Sequence, residues 1–138
     1  MYNINSDKCL INLFESLKYK TYIYTNGTYG HADIVLDKMK LNFNKVFARD
    51  TIPYMKPDIR SFLFVEKNIL YSDYNKDENN TFVFFDDLLD NLFTAKKKGW
   101  ITIWINPRFN TKKLYNFIDY SYPNIYDALN KINDIKFN

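Results

Sequence analysis

The chain has 138 residues, 46% of them hydrophobic and 25% charged, the size and balance of one globular domain rather than of a disordered segment. A formal net charge of +3 is too mild to argue for a nucleic-acid surface. The lone Cys9 excludes an internal disulfide, and no apolar run approaches the length needed to cross a bilayer.

Two periodicities alternate along the sequence. Leu10, Leu13, Phe14 and Leu17 recur at helical spacing, with Ser6 or Asp7 placed to cap the helix. Cys9 lies beside that apolar stripe, where a packing role is expected. TYIYT (21–25) is rich in β-branched and aromatic residues and reads as a strand. GHADIVLDKMKL returns to helix, with His31 at its start, and KVFAR (45–49) is a short second strand.

After Pro53 and Pro57, Ile59, Phe62, Leu63 and Ile69 or Leu70 predict a helix with Pro57 in its first turn. YSDYNKDENN (71–80) reads as a polar loop. TFVFF (81–85) is apolar on both faces, the pattern of an interior parallel strand. Leu88, Leu89, Leu92, Phe93 and Ala95 then share one side of a helix that Gly99 ends. Lys96, Lys97 and Lys98 fall at its C-terminus, where the helix dipole favours cations.

WITIWIN (100–106) reads as the last strand, and Ile125, Ala128, Leu129 and Ile132 form the stripe of a closing helix that starts near Pro123. Strands alternating with helices indicate βαβ units and a largely parallel sheet. The expected fold class is α/β, in a single domain spanning residues 1–138 with no Pro/Gly/Ser-rich linker. The polar start MYNINSDK is no secretory signal, so a soluble, cytoplasmic protein is expected. Asn, Lys, Ile, Tyr and Phe recur throughout, the bias of an AT-rich genome such as that of a large DNA virus; the location would then be host cytoplasm or virion.

In open α/β sheets, ligands sit beyond the carboxyl ends of the strands. Thr25 and Asn26 follow the first strand, Lys56 follows the second, and Asp86 and Asp87 follow the third. Two carboxylates would repel a phosphate unless a divalent cation and a lysine balance the charge. Mg²⁺ takes few carboxylates together with phosphate oxygens and water, and lysine acts on phosphate as a point charge. The combination points to a phosphoryl site.

The order of YIYTNGTYGHA, ARDTIPYMKPDIRSF and TFVFFDDLLDNLFTAKKKGW resembles the haloacid dehalogenase (HAD) superfamily of phosphohydrolases, and within it the pyrimidine 5′-nucleotidase-like group. The likeness runs from residue 10 to residue 106, with a looser match to the closing helix. It implies a Rossmann-like HAD core in which Thr25 and Asn26 bind phosphate and Lys56, before Pro57, stabilises charge. It further implies that Asp86 and Asp87 hold Mg²⁺ weakly, and that Asn91 supports the loop.

The family's first motif, Asp-x-Asp-x-Thr, does not occur in this sequence. The nearest imitation, YTNGT (24–28), carries Tyr24 and Asn26 where the acids would stand. Asp73, Asp77 and Asp90 end no expected strand and are poor substitutes. The resemblance therefore implies a core truncated at its N-terminus, with the first strand and most of the cap missing and residues 1–20 a remnant of the cap-to-core connection.

A covalent phospho-aspartyl route needs the nucleophile, and in other enzymes losing one costs up to about a million-fold in turnover. The expectation is a pseudoenzyme with a residual phosphate and Mg²⁺ site and a binding or assembly role. The alternative is a split phosphatase for nucleotides or small phosphoesters, completed by a partner. The missing strand would be compensated by direct pairing of 21–25 with 81–85, or filled by a homo-oligomer or a partner chain. With one histidine and one cysteine, a zinc site is not expected. Neither a nucleic-acid nor a membrane partner is expected.

Overall fold

Strand and helix alternate in the computed structural model, which describes residues 6–73 and 80–135. All strand pairs are parallel, and helices pack on the strands, so the protein is α/β. The strands form two small sheets rather than one. The chain divides into two compact units, one up to Met55 and one from Lys56 onward. The boundary falls where the sequence shows no linker composition.

The first unit opens with α1 (Lys8–Glu15), whose N-cap Asp7 accepts the Leu10 N–H at 3.2 Å. Leu10 is buried in the unit's interior, while Cys9 is exposed, so the thiol does not take the packing role expected of it. Next come β1 (Tyr22–Tyr24) and α2 (Tyr29–Met39), then β2 (Lys45–Phe47). β1 runs parallel to β2 with Ile23 opposite Val46. Phe47, Ala48, Ala32 and Ile52 are buried in this unit, and Phe14 meets Phe43 edge-on at 5.1 Å.

The second unit begins with α3 (Ile59–Asp73). Pro57 precedes this helix rather than sitting in its first turn, and Asp58 Oδ1 accepts the Arg60 N–H at 2.9 Å at its start. Phe62 and Val65 are buried, but Ile59 and Leu63 are exposed, so the inward face is narrower than the apolar spacing suggested. Residues 71–73, expected in a loop, continue the helix; the loop's residues 74–79 lie outside the described residues.

β3 (Val83–Asp86) and β4 (Ile101–Ile105) are joined through α4 (Leu89–Lys97), a βαβ unit. The sheet order is β3–β4–β5, so β4 is the central strand and β3 a border strand, not the interior strand that its apolar run suggested. Burial agrees: Thr102, Ile103 and Trp104 of β4 are all buried, whereas only Phe84 is buried in β3.

β4 is not the last strand. A 3-10 turn (Phe109–Leu114) leads to β5 (Tyr120–Tyr122), which pairs with β4 so that Trp104 lies opposite Ser121. Ser121 Oγ donates to the Phe109 carbonyl at 2.6 Å, tying the turn to the strand. Asp119 fixes the entry to β5: one carboxylate oxygen accepts the Thr102 N–H at 2.8 Å and also meets the Lys96 ammonium. α5 (Ile125–Ile132) closes the fold with Ala128, Leu129 and Ile132 buried, as its spacing predicts, and Asn124 as its N-cap.

The core of this unit is aromatic. Phe62, Phe84 and Trp100 meet pairwise with ring centroids 5.3–5.9 Å apart, separations at which edge-to-face rings attract. The buried Trp100 indole finds an acceptor in Glu66 at 3.1 Å, and Glu66 also pairs with Lys98.

In α4 the buried residues are Asn91, Leu92, Thr94 and Ala95. Leu88 is its N-cap and is 57% exposed, and Phe93 is 44% exposed, so these two do not belong to the inward face. Gly99 ends the helix with φ +90°, donating to the Lys96 carbonyl while Trp100 N–H reaches Ala95. This is the Schellman pattern, which needs a left-handed residue. The lysines at this helix end have internal partners: Lys96 meets Asp119, Lys98 meets Glu66 and Lys97 lies over the Phe93 ring.

Candidate functional site

β3 delivers Asp86 at its carboxyl end, and the turn that follows carries Asp87 before α4 begins. Lys56, thirty residues earlier, brings its ammonium to 3.1 Å from Asp86 Oδ2. Asn91, in the first turn of α4 and buried, donates its side-chain amide to the same oxygen at 3.1 Å. The other oxygen, Oδ1, accepts the Leu88 N–H at 2.9 Å. Two of the residues singled out from sequence, Lys56 and Asn91, thus converge on the carboxylate of a third, Asp86.

The Lys56 and Asp86 side chains are each only 8% exposed. The ammonium also lies 5.3 Å from the centroid of the Phe84 ring. An ion pair so shielded gains electrostatic strength from its low-dielectric surroundings, but it needs its remaining donors and acceptors satisfied. Asn91 and the Leu88 N–H do this for the acid.

Electrostatics separate the two acids. Burial pushes the Asp86 carboxyl up, but the Lys56 charge, the Leu88 N–H and the hydrogen bond with Asp87 outweigh it, and the net shift is downward. The Asp87 carboxyl is raised, first by its hydrogen bond to Asp86, then by burial and by the neighbouring negative charge. Asp86 is thus the ionised member and Asp87 the one that holds a proton longer. Asp87 is exposed, and its carbonyl accepts the indole N–H of Trp104 from β4 at 3.1 Å.

Trp104 was not singled out from sequence. Its register opposite Asp86 is the feature that brings it to the acid turn, and that register follows from strand pairing rather than from any local motif.

Thr25 and Asn26 belong to the first unit. There Thr25 Oγ1 accepts the Gly27 N–H at 3.0 Å, and the Thr25 N–H extends the parallel ladder to the Phe47 carbonyl at 2.9 Å. A Cβ on Gly27 would stand 3.3 Å from the Thr25 hydroxyl, so glycine suits that close turn. Thr28 caps α2 by accepting the His31 N–H, and Asp50 accepts the Tyr29 N–H at 2.8 Å. The exposed His31 stands at the helix start, as its place in the sequence suggests. Of the acids set aside as poor substitutes, Asp73 ends α3 and Asp90 lies in the first turn of α4; Asp77 lies outside the described residues.

Among the described residues, no group of three or more His, Cys, Asp or Glu side chains could hold a metal ion. The site offers two carboxylates and no soft donor. That set suits Mg²⁺, which uses one or two carboxylates and fills its octahedron with water or phosphate oxygen. It does not suit zinc, which requires three or four nitrogen or sulfur ligands in most sites. No helix among the described residues is long and apolar enough to cross a membrane.

Fold and site together define an α/β protein with a lysine–carboxylate cluster at the carboxyl end of a parallel strand. No family model and no curated protein matches the sequence.

Proposed function

We propose that this chain is a phosphohydrolase-fold protein of the HAD type that binds Mg²⁺ and a phosphate group without turning it over by itself, in a binding or assembly role. The observation that carries the reading is the convergence of Lys56 and Asn91 on Asp86, beside Asp87, at the end of β3. Open α/β sheets bind ligands at that end of the strands.

In this reading Asp86 and Asp87 hold the cation, Lys56 balances the phosphate charge, and Asn91 keeps the Asp86 carboxylate in place. The cation, when bound, neutralises phosphate charge and orients its oxygens. The 138 residues contain no Asp-x-Asp-x-Thr nucleophile motif, and a phosphoryl enzyme needs an activated nucleophile.

Calorimetric titration with MgCl₂ and inorganic phosphate tests this. Wild type should give Mg²⁺-dependent binding that Asp87→Asn weakens. Absence of binding by wild type overturns the reading, and so does Mg²⁺-dependent hydrolysis of p-nitrophenyl phosphate by this chain alone that Asp86→Asn abolishes.

A second reading has a specific observation in its favour: Asp86 already has the partners it requires in Lys56, Asn91 and the Leu88 N–H. The cluster would then be a staple joining the segment before α3 to the β3–α4 turn. Under it, Asp86→Ala lowers stability and no titration with Mg²⁺ or phosphate gives a signal.

A further inference from the structure

Resting on the Mg²⁺ reading above, we propose that Trp104 is a positioning residue for the acid pair, its indole N–H holding the Asp87 carbonyl and so setting the direction of the Asp87 carboxylate.

Asp87 lies in neither neighbouring element: β3 ends at Asp86, and α4 starts at Leu89 after an N-cap, Leu88, that makes no side-chain capping bond. The Asp87 carboxyl is hydrogen-bonded to Asp86, and its orientation depends besides on what holds the turn. Two contacts bear on the turn itself. One is the Leu88 N–H on Asp86 Oδ1 at 2.9 Å. The other is the Trp104 indole on the Asp87 carbonyl at 3.1 Å.

The two respond differently to a cation. The first uses the Asp86 carboxylate, a group that would hold the ion, and so would compete with it. The second uses a main-chain carbonyl and leaves both carboxylates out, so it survives in either state. Trp104 is well placed for this role, being 4% exposed, on the central strand in register with Asp86, and edge-on to Tyr115 at 5.7 Å. A large aromatic side chain with two torsions, packed on several sides, loses little further freedom when it holds a partner. Groups that orient metal ligands typically change affinity by 10- to 100-fold when removed.

The test is Trp104→Phe, which keeps most of the ring and deletes the donor. By calorimetry with MgCl₂, wild type should bind and the variant should bind about 10- to 100-fold more weakly. On wild type, the Trp104 indole N–H resonance should move during the same titration, with the calorimetric midpoint.

Equal affinity in wild type and variant overturns the role of Trp104 while leaving the Mg²⁺ site standing. No binding by wild type overturns the Mg²⁺ reading itself. Should the variant fail to fold, the wild-type resonance decides: an indole signal unmoved while the Asp86 and Asp87 carboxyl carbons shift with Mg²⁺ overturns the proposal.

Discussion

Lys56 Nζ and Asp86 Oδ2 lie 3.1 Å apart with both side chains 8% exposed. Removing one member of such a pair strands the other charge away from water, which costs about 3–5 kcal/mol, whereas replacing both with apolar residues costs far less. Asp86→Ala and Lys56→Met should each lower stability in urea unfolding by that order. The Lys56→Met/Asp86→Leu double variant should lose clearly less than the two single losses added. Additive losses would show that the two groups are not coupled.

The two neighbouring acids should give the protein opposing pH responses. Asp86 titrates below its ordinary range, so it contributes stability that is full above about pH 4 and is lost as acidification passes through its folded value. Asp87 titrates above that range, so its contribution is full below about pH 4 and is lost as pH rises through its raised value. In urea midpoints followed against pH, Asp86→Asn should flatten the acid limb. Asp87→Asn should flatten the decline just above it. Identical profiles for the two variants would contradict the separation.

Gly99 adopts φ +90° at the end of α4, with nothing within 4 Å of where a Cβ would project. The penalty for Gly99→Ala is therefore one of backbone conformation alone, about 1–2 kcal/mol. Thermal unfolding should show a lowered midpoint with an unchanged far-ultraviolet spectrum.

Thr102 on the central strand is fully buried, and its hydroxyl donates to the Phe117 carbonyl at 2.6 Å. Thr102→Val keeps the shape and removes that donor, leaving a carbonyl without it, and should cost about 1–3 kcal/mol in chemical denaturation. A neutral result would mean that this hydroxyl does not hold the segment before β5.

The α/β alternation was legible because capping residues and apolar spacing are local. Asp7, Leu10, Asn124 and the Ala128–Leu129–Ile132 stripe behave as such signals imply. Asp86 was readable as an acid at a strand end, Lys56 as a cation some way past the second strand, and Asn91 only through the HAD resemblance; the structure brings all three together.

What was hidden depends on partners distant in sequence. β5 is three residues long and is defined by its pairing with β4 and by the Asp119 anchor, neither visible in the segment SYPN. The inward face of α4 was misread because two of its buried residues, Asn91 and Thr94, are polar. Asn91 serves Asp86, and Thr94 donates to the Pro57 carbonyl at 2.7 Å. Conversely Phe93, apolar but exposed, is partly covered by Phe117 and by the Lys97 ammonium. The division into two sheets follows from hydrogen bonding across the chain, which composition does not encode.

Phe84 faces two ways in its effects, toward the Lys56 ammonium and toward the Phe62 and Trp100 rings. Sequence drift at this one position would therefore be judged twice, once for how the interior fits and once for how the cation is seated. An aliphatic replacement that satisfied the first demand would remove the electron-rich face that serves the second. Lys56 and Phe84 should consequently change together, or not at all, as the lineage diverges.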